Sequence, residues 1–282
     1  GIAIGNPGEN GGPAEITVMR GGAVVTTASV PPGTTAAITL PYVAELKNAT
    51  ESVTVVEGAY EITSTQPVAA YQYNPLHFDI GGTPSYTNDA SLLLPEHTLT
   101  GSYMVGTWPT WGKGSWVDLF GSSGNWDTFY PGFVTVVGTA DNTTVTFASN
   151  TTTSPGNPGA LGPGGSTSMT LNRGDVVQIF SQAPDNPSDP DFCRSQGGIQ
   201  TDIGTCPPTL TSSCDSYCSF LPGDLTGSTI LADAPVAVFA GHMCTFMPAS
   251  AWACDHLEEM MFPTETWGTL VVMTAPAHPS GS

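Results

Sequence analysis

Short apolar and β-branched runs recur along the chain, at residues 16–18, 24–26, 36–40, 52–56, 68–73, 133–137, 143–147, 176–180, 236–240 and 270–273. Each is bounded by glycine, proline, asparagine or aspartate, residues that end strands and start turns. Strands this short, at this spacing, predict an all-β sandwich or barrel. Asp141-Asn142 predicts a hairpin turn between the runs at 133–137 and 143–147, because both residues tolerate positive φ. One short helix is predicted, Asp255-His-Leu-Glu-Glu-Met-Met261, with carboxylates near its start to suit the helix dipole. Residues 150–168 and 184–218 are predicted to be irregular loops.

The pattern occurs twice. Ile62, Pro67, Val68, Ala69 and Tyr71 are matched by Ile230, Pro235, Val236, Ala237 and Phe239 at a constant offset of 168. Downstream, Asp89 and the stretch from Leu92 to Pro95 parallel Asp255 and the stretch from Leu257 to Pro263. Gly101-Ser-Tyr-Met-Val105 then parallels Gly268-Thr-Leu-Val-Val-Met273. Upstream, Ile16-Thr-Val18 pairs in the same way with Phe133-Val-Thr-Val136. A proline ahead of each apolar run sits where a strand begins and no ladder donor is needed. The expectation is two tandem β-sandwich-like modules, residues 1–115 and 116–282, with a disulfide-rich loop, 184–218, inserted in the second.

Composition narrows the function classes. Five basic residues stand against 24 acidic ones in 282, for a net charge of −19. Five cations cannot build the basic face that neutralises phosphates, so nucleic acid is excluded as a partner, and so is an anionic membrane surface. No apolar run reaches the roughly 18 residues that insert a helix in a bilayer. No leader-like segment opens the chain and neither end is capped, which suggests a mature piece of a longer protein.

All six cysteines, Cys193, Cys206, Cys214, Cys218, Cys244 and Cys254, fall in the last third. An even, clustered count on an acidic, threonine-rich chain reads as three disulfides in an oxidising compartment. Cys244 and Cys254 are expected to pair across a local loop, with Cys193, Cys206, Cys214 and Cys218 forming two further bridges. A rival reading places zinc between His242, Cys244, Cys254 and His256, but the spacing fits no common structural motif. Sequons at Asn48, Asn142 and Asn150 suit a secreted chain.

Other constellations have a structural and a chemical reading. Arg173-Gly174-Asp175 is an integrin-type tripeptide, and it also sits where a turn enters the run at 176–180. Asp185, Asp189 and Asp191 offer hard oxygen ligands for calcium, without a known calcium-loop spacing. No other cofactor is expected. Glu96-His97 and Asp255-His256 with Glu258-Glu259 contain paired carboxylates of the kind glycoside hydrolysis uses; no nucleophile elbow or phosphate loop accompanies them. Aromatics crowd residues 103–133 and are expected either to stack on sugars or, as the favoured reading, to plug the junction between the modules.

The second half carries a resemblance. Asp224-Leu-Thr-Gly-Ser-Thr-Ile230, Pro235-Val-Ala-Val-Phe-Ala-Gly-His242, Cys244, Cys254-Asp-His-Leu-Glu258 and Pro263-Thr-Glu-Thr-Trp267-Gly268 together resemble the N-terminal domain of the IgGFc-binding protein family. In the first half, Pro67-Val-Ala-Ala-Tyr-Gln-Tyr-Asn-Pro75 and Asn88-Asp-Ala-Ser-Leu-Leu-Leu-Pro95 are more similar to that family's bacterial surface-protein members. The resemblance implies an extracellular, disulfide-containing β module on a cell surface and no catalytic residues. Its expected work is non-catalytic binding or adhesion, to a protein or glycan ligand on another surface. The alternatives are a self-assembling subunit of an extracellular fibre or sheath, whose partners are copies of itself, and a secreted carbohydrate-active enzyme.

Overall fold

The computed structural model describes residues 1–9, 11–47, 49–73, 78–80, 83–85, 89–118, 122–185, 187–204, 213–246 and 255–273. Over that span the chain is all-β. In the first half, a four-stranded sheet has the order β10 (Ala90–Leu93), β7 (Ala69–Tyr73), β1 (Ile2–Asn6), β4 (Thr34–Ile38). A three-stranded sheet has the order β3 (Ala23–Val30), β2 (Ala14–Arg20), β6 (Glu61–Ser64). Ile2, Ile4 and Ile38 from the first meet Ala14, Ile16, Val18 and Val30 from the second in one buried cluster. Strand β2 shows why: its alternate residues Ala14, Ile16 and Val18 are buried while Glu15 is exposed, the period-two pattern of a strand with one face on a core.

The second half repeats this plan at larger scale. A five-stranded sheet runs β22 (Asp255–Met260), β21 (Val236–Thr245), β14 (Gly132–Gly138), β17 (Val176–Phe180), β5 (Val53–Val55). A four-stranded sheet runs β11 (Ser102–Met104), β20 (Thr229–Ala232), β15 (Thr143–Ala148), β16 (Ser166–Leu171). Val134, Val136, Val238 and Ala240 face Tyr103, Val145, Phe147 and Ile230 in the largest core. Strand β21 is buried along nearly its whole length because its other face is covered too. There Ala237, Val137 and Phe239 pack with Leu93, Leu94 and Leu99 of the first half.

A third layer comes from the segments inserted between these strands. It has the order β13 (Ser122–Tyr130), β12 (Thr110–Asp118), β19 (Ser213–Phe220), β18 (Ile199–Gly204). A small hairpin, β8 (Phe78–Ile80) with β9 (Thr83–Ser85), completes the strands. Among the described residues the two α-helices, α1 (Ala44–Lys47) and α2 (Phe192–Ser195), are single turns.

Several expectations change. Residues 255–260 form an edge strand, not a helix: Phe239 to His242 already present a ladder edge, and pairing Met260 to Leu257 against it satisfies more backbone than one helical turn would. The turn at Asp141-Asn142 has the predicted positive φ at Asn142 (57°), yet it joins strands of different sheets, so it is a corner between layers instead of a hairpin. The segment 184–218 is not irregular; it contributes α2, β18 and β19. The boundary placed between residues 115 and 116 falls inside β12, which pairs with β19 from Thr110–Phe220 to Val117–Ser213. The strand order also sets β14 opposite β1 and β15 opposite β2, which moves the upstream counterpart of Ile16-Thr-Val18 from 133–136 to β15. The run at 270–273 lies outside every sheet.

Candidate functional site

The cysteine-rich layer is built around sulfur and indole. Cys193 on α2 is bonded to Cys218 on β19. Trp116, Trp126 and Phe129 bury their rings against Cys193, Cys214 and Cys218. Trp116 and Trp126 meet edge to face with centroids 5.0 Å apart, and the Trp126 indole N–H donates to the Asp189 carbonyl at 3.1 Å. A second aromatic group stacks Trp111 on Tyr130, Tyr217 and Phe246. These rings are the core of the inserted sheet. They neither face solvent as a sugar platform nor fill the seam between the halves, which leucines and Phe239 occupy.

Cys214 and Cys244 are disulfide-bonded as well; Cys206 and Cys254 lie outside the described residues. The Cys214 and Cys244 sulfurs are therefore not thiolates available to zinc. His242 is fully buried beside Cys244, whose amide donates to His242 Nδ1 at 3.1 Å. Burial pushes the His242 pKa down to about 3, so the ring stays neutral. Among the described residues no three His, Cys, Asp or Glu side chains are grouped to hold a metal. Of the calcium candidates Asp185, Asp189 and Asp191, the Asp189 carboxylate accepts the Asp191 amide at 2.9 Å, and Asp191 pairs with Arg194 at 3.1 Å.

The tripeptide Arg173-Gly174-Asp175 is committed to the fold. Asp175 is buried, and its two carboxylate oxygens accept the amides of Glu57 (3.0 Å) and Asn172 (2.9 Å). Arg173 grips both carboxylate oxygens of Glu96 (3.0 and 2.8 Å), reaches Glu61 at 2.9 Å and donates to the Thr139 carbonyl. The guanidinium holds Glu96 below the usual carboxylate range, chiefly through these hydrogen bonds. Gly174, at φ 85°, makes the left-handed turn that brings the two charges into place.

The predicted carboxylate group at 255–259 does line a cleft. Its floor is Ala240 and Gly241 of β21, one wall is Gly106, Thr107 and Trp108, and the other is Leu257, Glu258, Glu259 and Asp89. A β-carbon at Gly241 would collide with the Leu257 carbonyl, so glycine is what lets β22 close on β21 here. Glu258 is fully engaged: its amide donates to Asp89, and its carboxylate accepts from Gln72 and meets His256 Nε2 at 3.2 Å. His256 in turn stacks on Phe133 at 5.6 Å. Glu259 is exposed, though its carboxylate also accepts a hydrogen bond from Ser91. Lost hydration at its carboxyl raises its pKa above the usual value, and the charges of Asp89 and Glu258 add to that. The cleft holds about 240 Å³, below the range of about 300–1,000 Å³ usual for small-ligand sites. Of its residues, the sequence pointed to Glu258 and Glu259, to Asp89, and to Trp108 within the aromatic stretch 103–133; Gly106 and Thr107 carry no motif.

A second, shallower depression of about 460 Å³ lies among Arg20, Val25, Pro41, Val56, Glu57 and Tyr60. Its margin is apolar, with Val24, Tyr42 and Val56 exposed.

Comparison with known proteins places the chain. The family model described as IgGFc binding protein matches residues 89–281. The human IgGFc-binding protein is 40% identical over 57 residues, which is 20% of this chain and 1% of the human protein. The chain thus spans a very small part of that relative's length. No solved structure matches the chain. The matched region contains the cleft, the inserted disulfide layer and, β5 apart, both sheets of the second half, and on that extent of agreement the chain belongs to the IgGFc-binding protein family.

Proposed function

We propose that the chain is an extracellular, non-catalytic binding module that contacts a protein ligand, as part of a cell-surface protein engaged in adhesion. The observation that carries this reading is the family match across residues 89–281. The cleft supports it in two ways. It is too small to enclose a drug-sized substrate, and the carboxylate best placed for acid–base work, Glu258, is tied up by Gln72, Asp89 and His256. What remains exposed is Glu259 beside the half-buried Trp108, an acidic and aromatic rim on a chain of net charge −19. Such a rim suits a basic protein face, with the indole as anchor and the charge as steering. The curated relative is named for the IgG Fc fragment, so Fc is the first ligand to try.

Biolayer interferometry on the immobilised chain tests this with Fc fragments, a panel of matrix proteins and a glycan array. The expected result is a protein ligand whose affinity falls at least tenfold with Glu259→Lys and weakens as salt rises from 50 to 500 mM. Saccharide product released from the glycans, and abolished by Glu258→Gln, would overturn it in favour of an enzyme.

A further inference from the structure

The two halves share a strand order. β10-β7-β1-β4 corresponds to β22-β21-β14-β17, and β3-β2-β6 corresponds to β16-β15-β20. The offset of 168 residues carries β6 (Glu61–Ser64) onto β20 (Thr229–Ala232) residue for residue. One strand breaks the match. The second half's sheet continues past β20 to β11, whereas among the described residues the first half's sheet stops at β6.

Strand β11 is supplied by the first half: it comes after Pro95 and a 3-10 turn at Glu96–Thr98, then crosses to seal the next core. Tyr103, 1% exposed, lies opposite Ile230, 0% exposed. Their surroundings differ from the counterpart site, where Ile62 and Val68 are only half-buried. The second half has the same lead-in, Pro263 and a 3-10 turn at Thr264–Thr266. Beyond that turn, Leu270, Val271, Val272 and Met273 are 85%, 81%, 89% and 82% exposed and join no sheet. So, among the described residues, the first half has an acceptor edge without a strand, and the second half has an extended apolar segment without an acceptor.

We propose that residues 270–273 of one copy of this chain add to β6 of a second copy, repeating between molecules the junction that β11 and β20 make within one. The offset sets the register. Leu270 falls opposite Thr63, Val271 opposite Ile62, and Val272 opposite Glu61, as Ser102, Tyr103 and Met104 fall opposite Leu231, Ile230 and Thr229. Met273 then reaches Tyr60, in the depression with Pro41 and Val56, as Val105 reaches Ser228. Backbone polarity agrees. The Thr65 amide points to β2, donating to Glu15, so alternation turns the amides of Ile62 and Ser64 outward. Their counterparts, Ile230 and Ala232, are the ones that face β11, and Ala232 donates to the Gly101 carbonyl at 2.7 Å. A contact between unlike surfaces is open-ended, so it builds chains of copies instead of closed pairs.

Light scattering on the full chain from about 1 µM to 1 mM tests the proposal. Apparent mass should rise with concentration. Val271→Asp removes the donor, and Ser64→Pro removes an outward amide without touching the β2 ladder. Each variant alone should be monomeric with unchanged circular dichroism, and an equimolar mixture should form a dimer that grows no further. A peptide of residues 266–273 should dissolve the parent assemblies, which keeps the test independent of whether Ser64→Pro folds. A parent chain that stays monomeric throughout, or assembles undisturbed by the peptide, overturns the proposal. Neither readout depends on any foreign ligand, so this result and that of the ligand screen stand apart.

Discussion

Asp175 shows how a familiar tripeptide can be wholly structural. Its carboxylate satisfies two backbone amides that are otherwise stranded at the junction of the halves. Asp175→Ala should therefore cost about 2–3 kcal/mol in urea unfolding, while cell attachment through integrins is absent in both forms. His242 sets a pH dependence. Its folded pKa is depressed to about 3 from an ordinary 6.5. The unfolded chain takes up the proton first, so the stability this residue contributes is complete above pH 6.5 and drains away as pH falls toward 3. Thermal melts between pH 7 and 4.5 should show a fall in midpoint, and His242→Asn should flatten that fall.

Among elements, the inserted sheet combines covalent and packing support. Cys193 and Cys218 close a loop of 25 residues, for which chain entropy gives about 3–4 kcal/mol. The double substitution to serine should lower stability by that amount in denaturant titration, and Trp126→Ala should cost about 3–5 kcal/mol. This layer was the least legible part of the sequence. Strands β12 and β13 contain Gly112, Gly114 and Gly124, which read as loop. A β-carbon at Gly114 would collide with the rings of Trp116 and Trp126, so the glycines are there to let indoles lie across the ladder. By contrast β14, β15, β17 and β21 were legible, because their apolar runs report burial directly. Residues 255–260 misled because their acidic residues suit a helix start as well as an edge strand, and only the partner β21 decides between them. The cleft was half legible for a similar reason: Glu258 and Glu259 are adjacent in sequence, whereas Trp108 comes from a segment far earlier in the chain.

At the scale of the molecule, the halves interlock instead of succeeding one another as beads. β5 leaves the first half to extend the sheet of β17, β11 leaves it to extend the sheet of β20, and Arg173 returns to clasp Glu61 and Glu96. Chemical unfolding of the two halves should be a single transition when monitored by tryptophan fluorescence, which reports the second half, and by far-ultraviolet dichroism, which reports both. Two separated midpoints would show that the clasp is weak.

The exchange of β5 and β11 has a mechanical consequence. Under an applied pulling load, a flexible hinge between two separate modules would yield first. Here separating the halves means breaking the pairing of β5 with β17 and of β11 with β20, each held by several backbone bonds. Two shared strands thus make the middle of the molecule a stiff link, whose lifetime under an applied load is set by the rate of their joint rupture.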